Sequence, residues 1–167
     1  MSDFDFGNLE PLRREEPGDI DNPARWGTRA IAWLVDLLIT VGVFLIPTLI
    51  LFGGAAAVGD DDAGTAAVAI LTVIAYLIAT IWTGWFFGFR QGVIGTTPGK
   101  RQRGIRLVDA ETGHPPGGAR GVGRWLVPSL LNSVVGVYLI IDYLWPLWDN
   151  RNQRLTDKMF RTLVTRD

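Results

Sequence analysis

An apolar stretch over residues 29–52 constrains the fold of this chain more than any other feature. It begins at Arg29 and carries only one further charge, Asp36, and its apolar residues surround the helix without forming a single stripe. At about 1.5 Å per residue such a helix spans roughly 35 Å, enough to cross a hydrocarbon core about 30 Å thick. The stretch therefore predicts a transmembrane helix. Asp36 needs an explanation, because an ionisable group inside a bilayer costs about 2.5–3.5 kcal/mol.

Two further apolar stretches follow. Residues 65–89 end in an aromatic cluster that contains Trp82 and Trp85, and Arg90 comes next, which is typical of a helix returning to the membrane surface. Residues 122–148 are interrupted by Pro128, Asn132, Gly136, Asp142 and Pro146. For this third stretch we favour two half-helices that turn at Gly136 over a single crossing, because a single crossing would place the basic residues after it on the outer face.

Charges set the expected topology. Residues 90–124 hold seven basic residues against two acidic ones, and three arginines precede the first span, which itself begins at Arg29. These charges place both segments in the cytoplasm. Residues 53–64 hold three aspartates and no cation, which predicts an outside loop. Residues 1–24 are acidic and proline-rich and predict a disordered cytoplasmic tail, in which Phe4, Phe6 and Leu9 form an alternative docking motif. Residues 149–167 are expected to form a basic cytoplasmic tail.

The loop between the second and third apolar stretches has a pattern of its own. Residues 104–109 alternate like an edge strand and residues 110–117 read as a turn, which predicts a small β-hairpin on the membrane surface. The predicted fold is thus an all-α integral membrane protein with two full transmembrane helices, a third broken, re-entrant helical hairpin and a small cytoplasmic β-hairpin-like loop. Residues expected at the anionic lipid headgroups or at the membrane interface are Lys100, Arg101, Arg103, Trp82, Trp85 and Trp148.

The sequence offers little for catalysis or cofactor binding. It has no cysteine, and its one histidine, His114, lies in a Gly/Pro-rich turn without neighbouring ligands. The stretch from Gly95 to Lys100 has three residues between its glycines and Arg101 after the lysine, so it departs from a phosphate-binding loop. Three adjacent aspartates at 60–62 are better explained as a solvated loop than as a cation site. We therefore expect a non-enzymatic protein without cofactor, metal or nucleic acid.

Asp36 has two interpretations. In the structural one, Arg29, Asn132 or an arginine of the loop pairs with it and fixes how the helices pack. In the functional one, it is a proton or cation site that faces a polar cavity, which is the default expectation for an intramembrane carboxylate.

Three segments together resemble the RDD family, which is named for one Arg and two Asp. They are Arg29 with Asp36 seven residues later, the loop 97–109, and the tail 147–157 with 162–164. The likeness covers residues 25–164, where the membrane domain is expected, and it matches Arg29, Asp36 and Asp157 to the family residues. Thr156 stands where the family usually has His, which weakens any proton relay that depends on that His.

The resemblance implies a small bacterial membrane protein from a family whose function is largely unsettled. Some members look like transport proteins, including cation/proton antiporters, and others look like non-catalytic partners in larger assemblies. The first hypothesis is an accessory or scaffolding subunit that contacts other integral membrane subunits and lipids in the cytoplasmic (inner) membrane. The second is a cation/proton antiporter that uses Asp36 and forms a homo-oligomer, because one copy has too few helices to enclose a pathway.

Overall fold

The computed structural model describes residues 17–167. The predicted docking motif at Phe4, Phe6 and Leu9 and most of the predicted N-terminal tail therefore lie outside the described residues.

Two long antiparallel helices form the main part of the fold. Helix α1 runs over Trp26–Val58 and helix α2 over Asp62–Thr83. Helix α2 continues through a π-helical segment, Gly84–Arg90, into a last turn, α3, at Gln91–Ile94. Each continuous 33-residue helix is long and apolar enough to cross a membrane. This result confirms the first two predicted helices, which extend beyond the predicted spans of 29–52 and 65–89.

The turn between α1 and α2 is short because both helix ends are capped locally. Gly59 has φ of +62° and donates its N–H to Ala55 O at the end of α1. The Asp61 side chain accepts from Gly64 N at 2.8 Å and caps α2. One of the three adjacent aspartates thus ends the turn, where the sequence predicted only a solvated loop.

The third apolar stretch is broken, as the sequence predicted. Helix α5 spans Gly118–Val135, and helix α6 spans Tyr138–Leu144 before a 3₁₀ turn at Trp145–Leu147. Gly136, between them, has φ of +74°, a conformation that favours glycine. The Trp26 indole N–H donates to Tyr143 O at 3.0 Å, so the end of α6 lies beside the first turn of α1.

Glycines let the backbone of α5 contact the backbone at the end of the second long helix. A Cβ added at Gly92 would lie 2.3 Å from Gly117 O, and one added at Gly121 would lie 2.3 Å from Gly88 O. Small residues at such contacts allow two helix backbones to touch. This packing fixes the N-terminal half of α5, which includes Arg124, against the π-helical end of α2.

A two-stranded antiparallel sheet joins the central loop to the C-terminus. Strand β1, Ile105–Asp109, pairs with β2, Thr162–Arg166. The predicted strand at 104–109 is therefore correct, but the local hairpin is wrong, because residues 110–117 lead directly into α5. The Asp109 side chain accepts from the N–H groups of Glu111 and Thr112 and fixes this turn.

The sheet packs on the start of α1. Ala24, Ala32, Ile105, Leu107 and Val164 form the buried apolar cluster between them. Ala24 N donates to Val164 O at 2.8 Å, so the end of the predicted tail, residues 17–24, is part of the folded unit. The predicted basic tail likewise contains α7, Leu155–Met159, and β2.

Candidate functional site

A cluster of buried charges, which we call the arginine cluster, lies where the C-terminal segment meets α1 and α5. It consists of Asp157, Arg29, Arg124 and Arg154. Asp157 is fully buried and belongs to α7. One carboxylate oxygen binds Arg29 and the other binds Arg124, and Arg154 Nε lies 3.7 Å from the second oxygen. Three segments of the chain thus converge on one carboxylate.

The Asp157 carboxylate is held in its charged form. Burial alone would raise its pKa, but the guanidinium groups of Arg124, Arg29 and Arg154 hold that pKa well below its usual range. The Arg154 backbone N–H adds a hydrogen bond of 3.0 Å to the same carboxylate. Arg29 also donates to Asn152 O, and Arg124 also donates to the Thr162 hydroxyl. The donors around Asp157 are therefore fixed in turn by other contacts.

A second buried carboxylate, Asp142, is linked to the arginine cluster through Arg154. The backbone N–H and the hydroxyl of Thr156 donate to Asp142 Oδ1 at 2.7 and 2.8 Å. Arg154 Nη1 lies 3.6 Å from Asp142 Oδ2, and the same guanidinium lies 4.7 Å from the centre of the Tyr143 ring. The family usually has His at position 156. Here Thr156 stands at that position and binds the Asp142 carboxylate.

Asp36 is bound by the loop before β1. This loop contains the short helix α4, Pro98–Gln102. The Thr97 hydroxyl donates to Asp36 Oδ2 at 2.6 Å, and Gly99 N donates to Asp36 Oδ1 at 2.9 Å. The partners of Asp36 therefore differ from the three expected ones, Arg29, Asn132 and a loop arginine. Asn132 instead accepts from Leu139 N at 3.3 Å across the break at Gly136.

Gly99 is required for this contact. A Cβ at position 99 would lie 2.0 Å from Ala32 O and 3.0 Å from Asp36 Oδ1. The Thr97 side chain also caps α4 by accepting from Lys100 N at 3.3 Å. The Thr-Pro-Gly sequence that superficially resembles a phosphate loop is thus a docking loop for the carboxylate of α1.

Lys100 points into the protein, although the sequence placed it at the lipid headgroups. The Gln91 amide, with its nitrogen donating to Phe87 O at 2.7 Å, accepts from Lys100 Nζ at 2.8 Å. Burial lowers the pKa of Lys100 to about 7, an effect that Asp36 opposes and that Arg124, Arg154 and Arg29 reinforce. The charge state of Lys100 therefore depends both on Asp36 and on the arginines of the cluster.

The other predicted interface residues lie on the surface. The structure places the side chains of Arg101, Arg103, Trp82, Trp85 and Trp148 at exposed positions. Exposure is compatible with lipid contact, which stays a prediction.

Three members of this charged region were not predicted from the sequence. Arg124 was counted only as a loop cation, Asp142 only as an interruption of an apolar stretch, and Arg154 only as part of a basic tail. A charged residue in an apolar stretch is a signal for a buried pair, and Asp142 carried that signal.

The charged region is suited to holding segments together. Four cations, including Lys100, surround three carboxylates, and each carboxylate accepts hydrogen bonds from a segment other than its own helix. Within residues 17–167 no group of three potential ligands could hold a metal ion, and His114 is exposed. Of the four cations in this region, Lys100 is the one whose pKa is lowered to near neutrality, about 7.

Sequence comparisons find a matching family model and related proteins. Residues 23–161 match the model of the RDD family. A proline-rich antigen of Mycobacterium leprae (strain TN) is 36% identical over 89 residues, which are 53% of this chain and 34% of that protein. A proline-rich antigen homolog of Mycobacterium tuberculosis (strain ATCC 25618 / H37Rv) is 26% identical over 150 residues, which are 83% of this chain and 61% of that protein. The chain thus spans less than two thirds of these curated relatives. No solved structure matches it.

Replacing Asp157 with Asn tests the arginine cluster. The change preserves shape but leaves buried guanidinium groups without a counter-charge, so we expect the free energy of unfolding to fall by about 3–5 kcal/mol. The exposed pair of Arg120 and Asp109 provides the control, since Arg120→Gln should cost no more than about 1 kcal/mol. Thermal or denaturant unfolding in detergent measures both. Equal small losses in the two variants would mean that the cluster does not stabilise the fold.

The lowered pKa of Lys100 predicts a pH dependence of stability. Between about pH 7 and pH 10.5 the unfolded chain binds more protons at this lysine than the folded chain, so stability gains a contribution that rises with pH. We expect Lys100→Met to remove this rise from the unfolding midpoint measured across that window. Lys158→Met, which removes a surface lysine paired with Asp149, should retain it. Parallel curves for wild type and Lys100→Met would contradict the buried position of the amine.

Proposed function

This chain belongs to the RDD family, and from that membership we propose that it is a non-enzymatic accessory or scaffolding subunit of a larger complex in the bacterial cytoplasmic membrane. The family match and the two apolar helices indicate a bacterial membrane protein. The proposal adds the multi-pass topology and the role in assembly.

The proposed topology places the N-terminus, the sheet and the C-terminus in the cytoplasm. Helices α5 and α6 then form a re-entrant hairpin that enters the membrane and turns back at Gly136. The contact between the Trp26 indole and Tyr143 O supports this arrangement, because it brings the end of the hairpin to the first turn of α1. The basic residues of the central loop and of the tail then lie on the inner face.

The observation that carries the scaffolding role is how the buried carboxylates are used. Asp36 holds the loop 97–99, Asp157 holds α1 and α5 against α7, and Asp142 holds Thr156. A buried charge that is bound by several chain segments favours one arrangement of those segments, a recognised use of buried polar groups. They support a rigid platform fixed to two membrane helices.

The polar groups within the two long helices also support a structural role. The hydroxyls of Thr40, Thr72, Thr80 and Thr83 donate to carbonyl oxygens of their own helix. In the part of the chain that the structure describes, the hydrogen bond of 3.0 Å between Thr48 and Tyr76 is the one side-chain bond between α1 and α2. A pathway for ions would need a chain of polar groups across the membrane.

The outward faces of the two helices leave room for other subunits. In the most apolar part of each long helix, only 11% of the residues are buried. On α1 the exposed side chains at Leu38, Leu45, Leu49 and Phe52 extend along much of its length. Lipid covers part of such a surface, and the proposal assigns another part to neighbouring integral membrane subunits.

Gly99→Ala tests the scaffolding role, with Gly42→Ala as its matched control. The added methyl group at position 99 must displace the loop from Ala32 and Asp36, whereas one at position 42 meets no atom within 4 Å. We expect wild type and Gly42→Ala, extracted from native membranes in mild detergent, to migrate in a particle heavier than the single chain. Gly99→Ala should shift several-fold more of the protein to the lighter form at equal membrane abundance. A wild-type chain that always migrates alone would refute the proposal.

The second candidate function is cation/proton antiport by an oligomer that uses Asp36. The observation that favours it is the buried Asp36 near Lys100, whose pKa of about 7 lets it change charge near neutral pH. Asp36→Asn keeps an oxygen for Gly99 N and removes the charge. Abolished cation-driven proton flux in reconstituted vesicles, with unchanged assembly, would establish transport. Absence of flux in the wild type would exclude it.

A further inference from the structure

A cleft lies beside the docking loop that binds Asp36. It lies between α1, the π-helical end of α2 and helix α4, and it has a volume of about 500 Å³. This size is in the range of small-ligand sites. Its apolar walls come from Val35, Phe86 and Pro98, and its polar groups are Arg90, Arg101 and Gln102. Thr97, whose hydroxyl is bound to Asp36, closes it toward the carboxylate.

The cleft carries positive charge that the protein does not neutralise. None of its lining residues is acidic. Arg90 lies over the Phe86 ring, with its guanidinium carbon 4.9 Å from the ring centre, and this contact leaves the N–H groups available. Among residues 17–167 no carboxylate forms an ion pair with Arg90 or Arg101, in contrast to the guanidinium groups of the arginine cluster. An anion that enters the cleft meets two uncompensated cations.

We propose that this cleft binds the phosphodiester group of an anionic phospholipid, with the start of an acyl chain along Val35 and Phe86. Arginine matches phosphate because its planar N–H groups can bind two oxygens at once. Basic pockets between membrane helices at the cytoplasmic surface are typical sites for anionic headgroups. The proposal requires that α1 and α2 cross a membrane and does not depend on the scaffolding role.

The surroundings of the cleft favour a lipid over a water-soluble phosphate. The exposed Leu34 and Leu38 of α1 lie one residue before and three residues after Val35, within about one helical turn of it, and they provide an apolar surface for the rest of an acyl chain. Trp82 stacks on Phe86 at 4.9 Å between ring centres, which places an indole of the kind found at membrane interfaces beside the site. A soluble phosphate would use the arginines but leave the apolar walls in contact with water.

The experiment measures binding of phosphatidylglycerol to the full chain, purified in detergent and stripped of lipid, by native mass spectrometry. We expect the variant Arg90→Gln/Arg101→Gln to bind at least about tenfold more weakly, because it loses charge-assisted hydrogen bonds. Arg103→Gln is the matched control: Arg103 is an exposed arginine of the same loop and is also expected near headgroups, but it does not line the cleft, so the comparison separates binding in the cleft from general attraction to anionic lipid. It should stay within about twofold of the wild type.

Two further ligands separate the sources of the phosphate. Glycerol 3-phosphate carries the anion without acyl chains, and phosphatidylcholine carries the phosphodiester with a cation beside it. Both should bind at least about tenfold more weakly than phosphatidylglycerol. If glycerol 3-phosphate binds as tightly as the lipid, the cleft is a site for soluble phosphates and the lipid assignment fails. An equal loss in Arg103→Gln would show a diffuse basic surface and also overturn the proposal.

Two more variants keep the result interpretable if the double variant does not fold. Arg101→Gln alone changes an exposed side chain and should still weaken binding several-fold. Arg90→Lys/Arg101→Lys retains both charges but not the paired N–H groups, so it should bind with intermediate strength. Binding by the lysine variant that equals the wild type would show that charge alone suffices and that the cleft is not a shaped arginine site.

Discussion

The Asp157 carboxylate is the constraint on which the rest of the structure depends. A buried charge is tolerated only with close partners. The partners of Asp157 are Arg29 of α1, Arg124 of α5 and Arg154, three residues before it in the sequence. Because these partners come from distant parts of the chain, the C-terminal segment must return to the first turn of α1. Strand β2 then lies where it pairs with β1, and the apolar cluster closes beneath the sheet.

The carboxylate of Asp36, two helical turns after Arg29 in α1, plays a comparable role. It holds the loop that contains Gly99, and that loop leads through α4 into β1. The two carboxylates therefore attach both strands of the sheet to the same helix, one through each flanking segment. Lys100, in the same loop, interacts electrostatically with Asp36 and with the arginines of the cluster, and its pKa of about 7 makes its charge respond near neutral pH. The same loop also provides Arg101 to the cleft for which we propose lipid binding.

Much of the membrane architecture follows from the sequence, because hydropathy and length act locally. The apolar residues of α1 and α2 and the break at Gly136 require no knowledge of distant contacts. The partner of β1 does, since residues 110–117 look like a turn whether or not a strand follows. The loop cations illustrate the same limit. Arg101 is exposed and Lys100 is turned inward, although they are adjacent and both cationic, because the docking of Gly99 on Ala32 decides which side faces the protein.

A double-mutant cycle of Arg29→Gln and Asp157→Asn, followed by unfolding in detergent, tests most directly whether buried charges tie the C-terminal segment to α1. The account predicts a coupling free energy of about 1 kcal/mol or more between the two positions, because each change removes the partner of the other. Additive losses, within about 0.3–0.5 kcal/mol, would mean that the two side chains do not interact and would contradict the account.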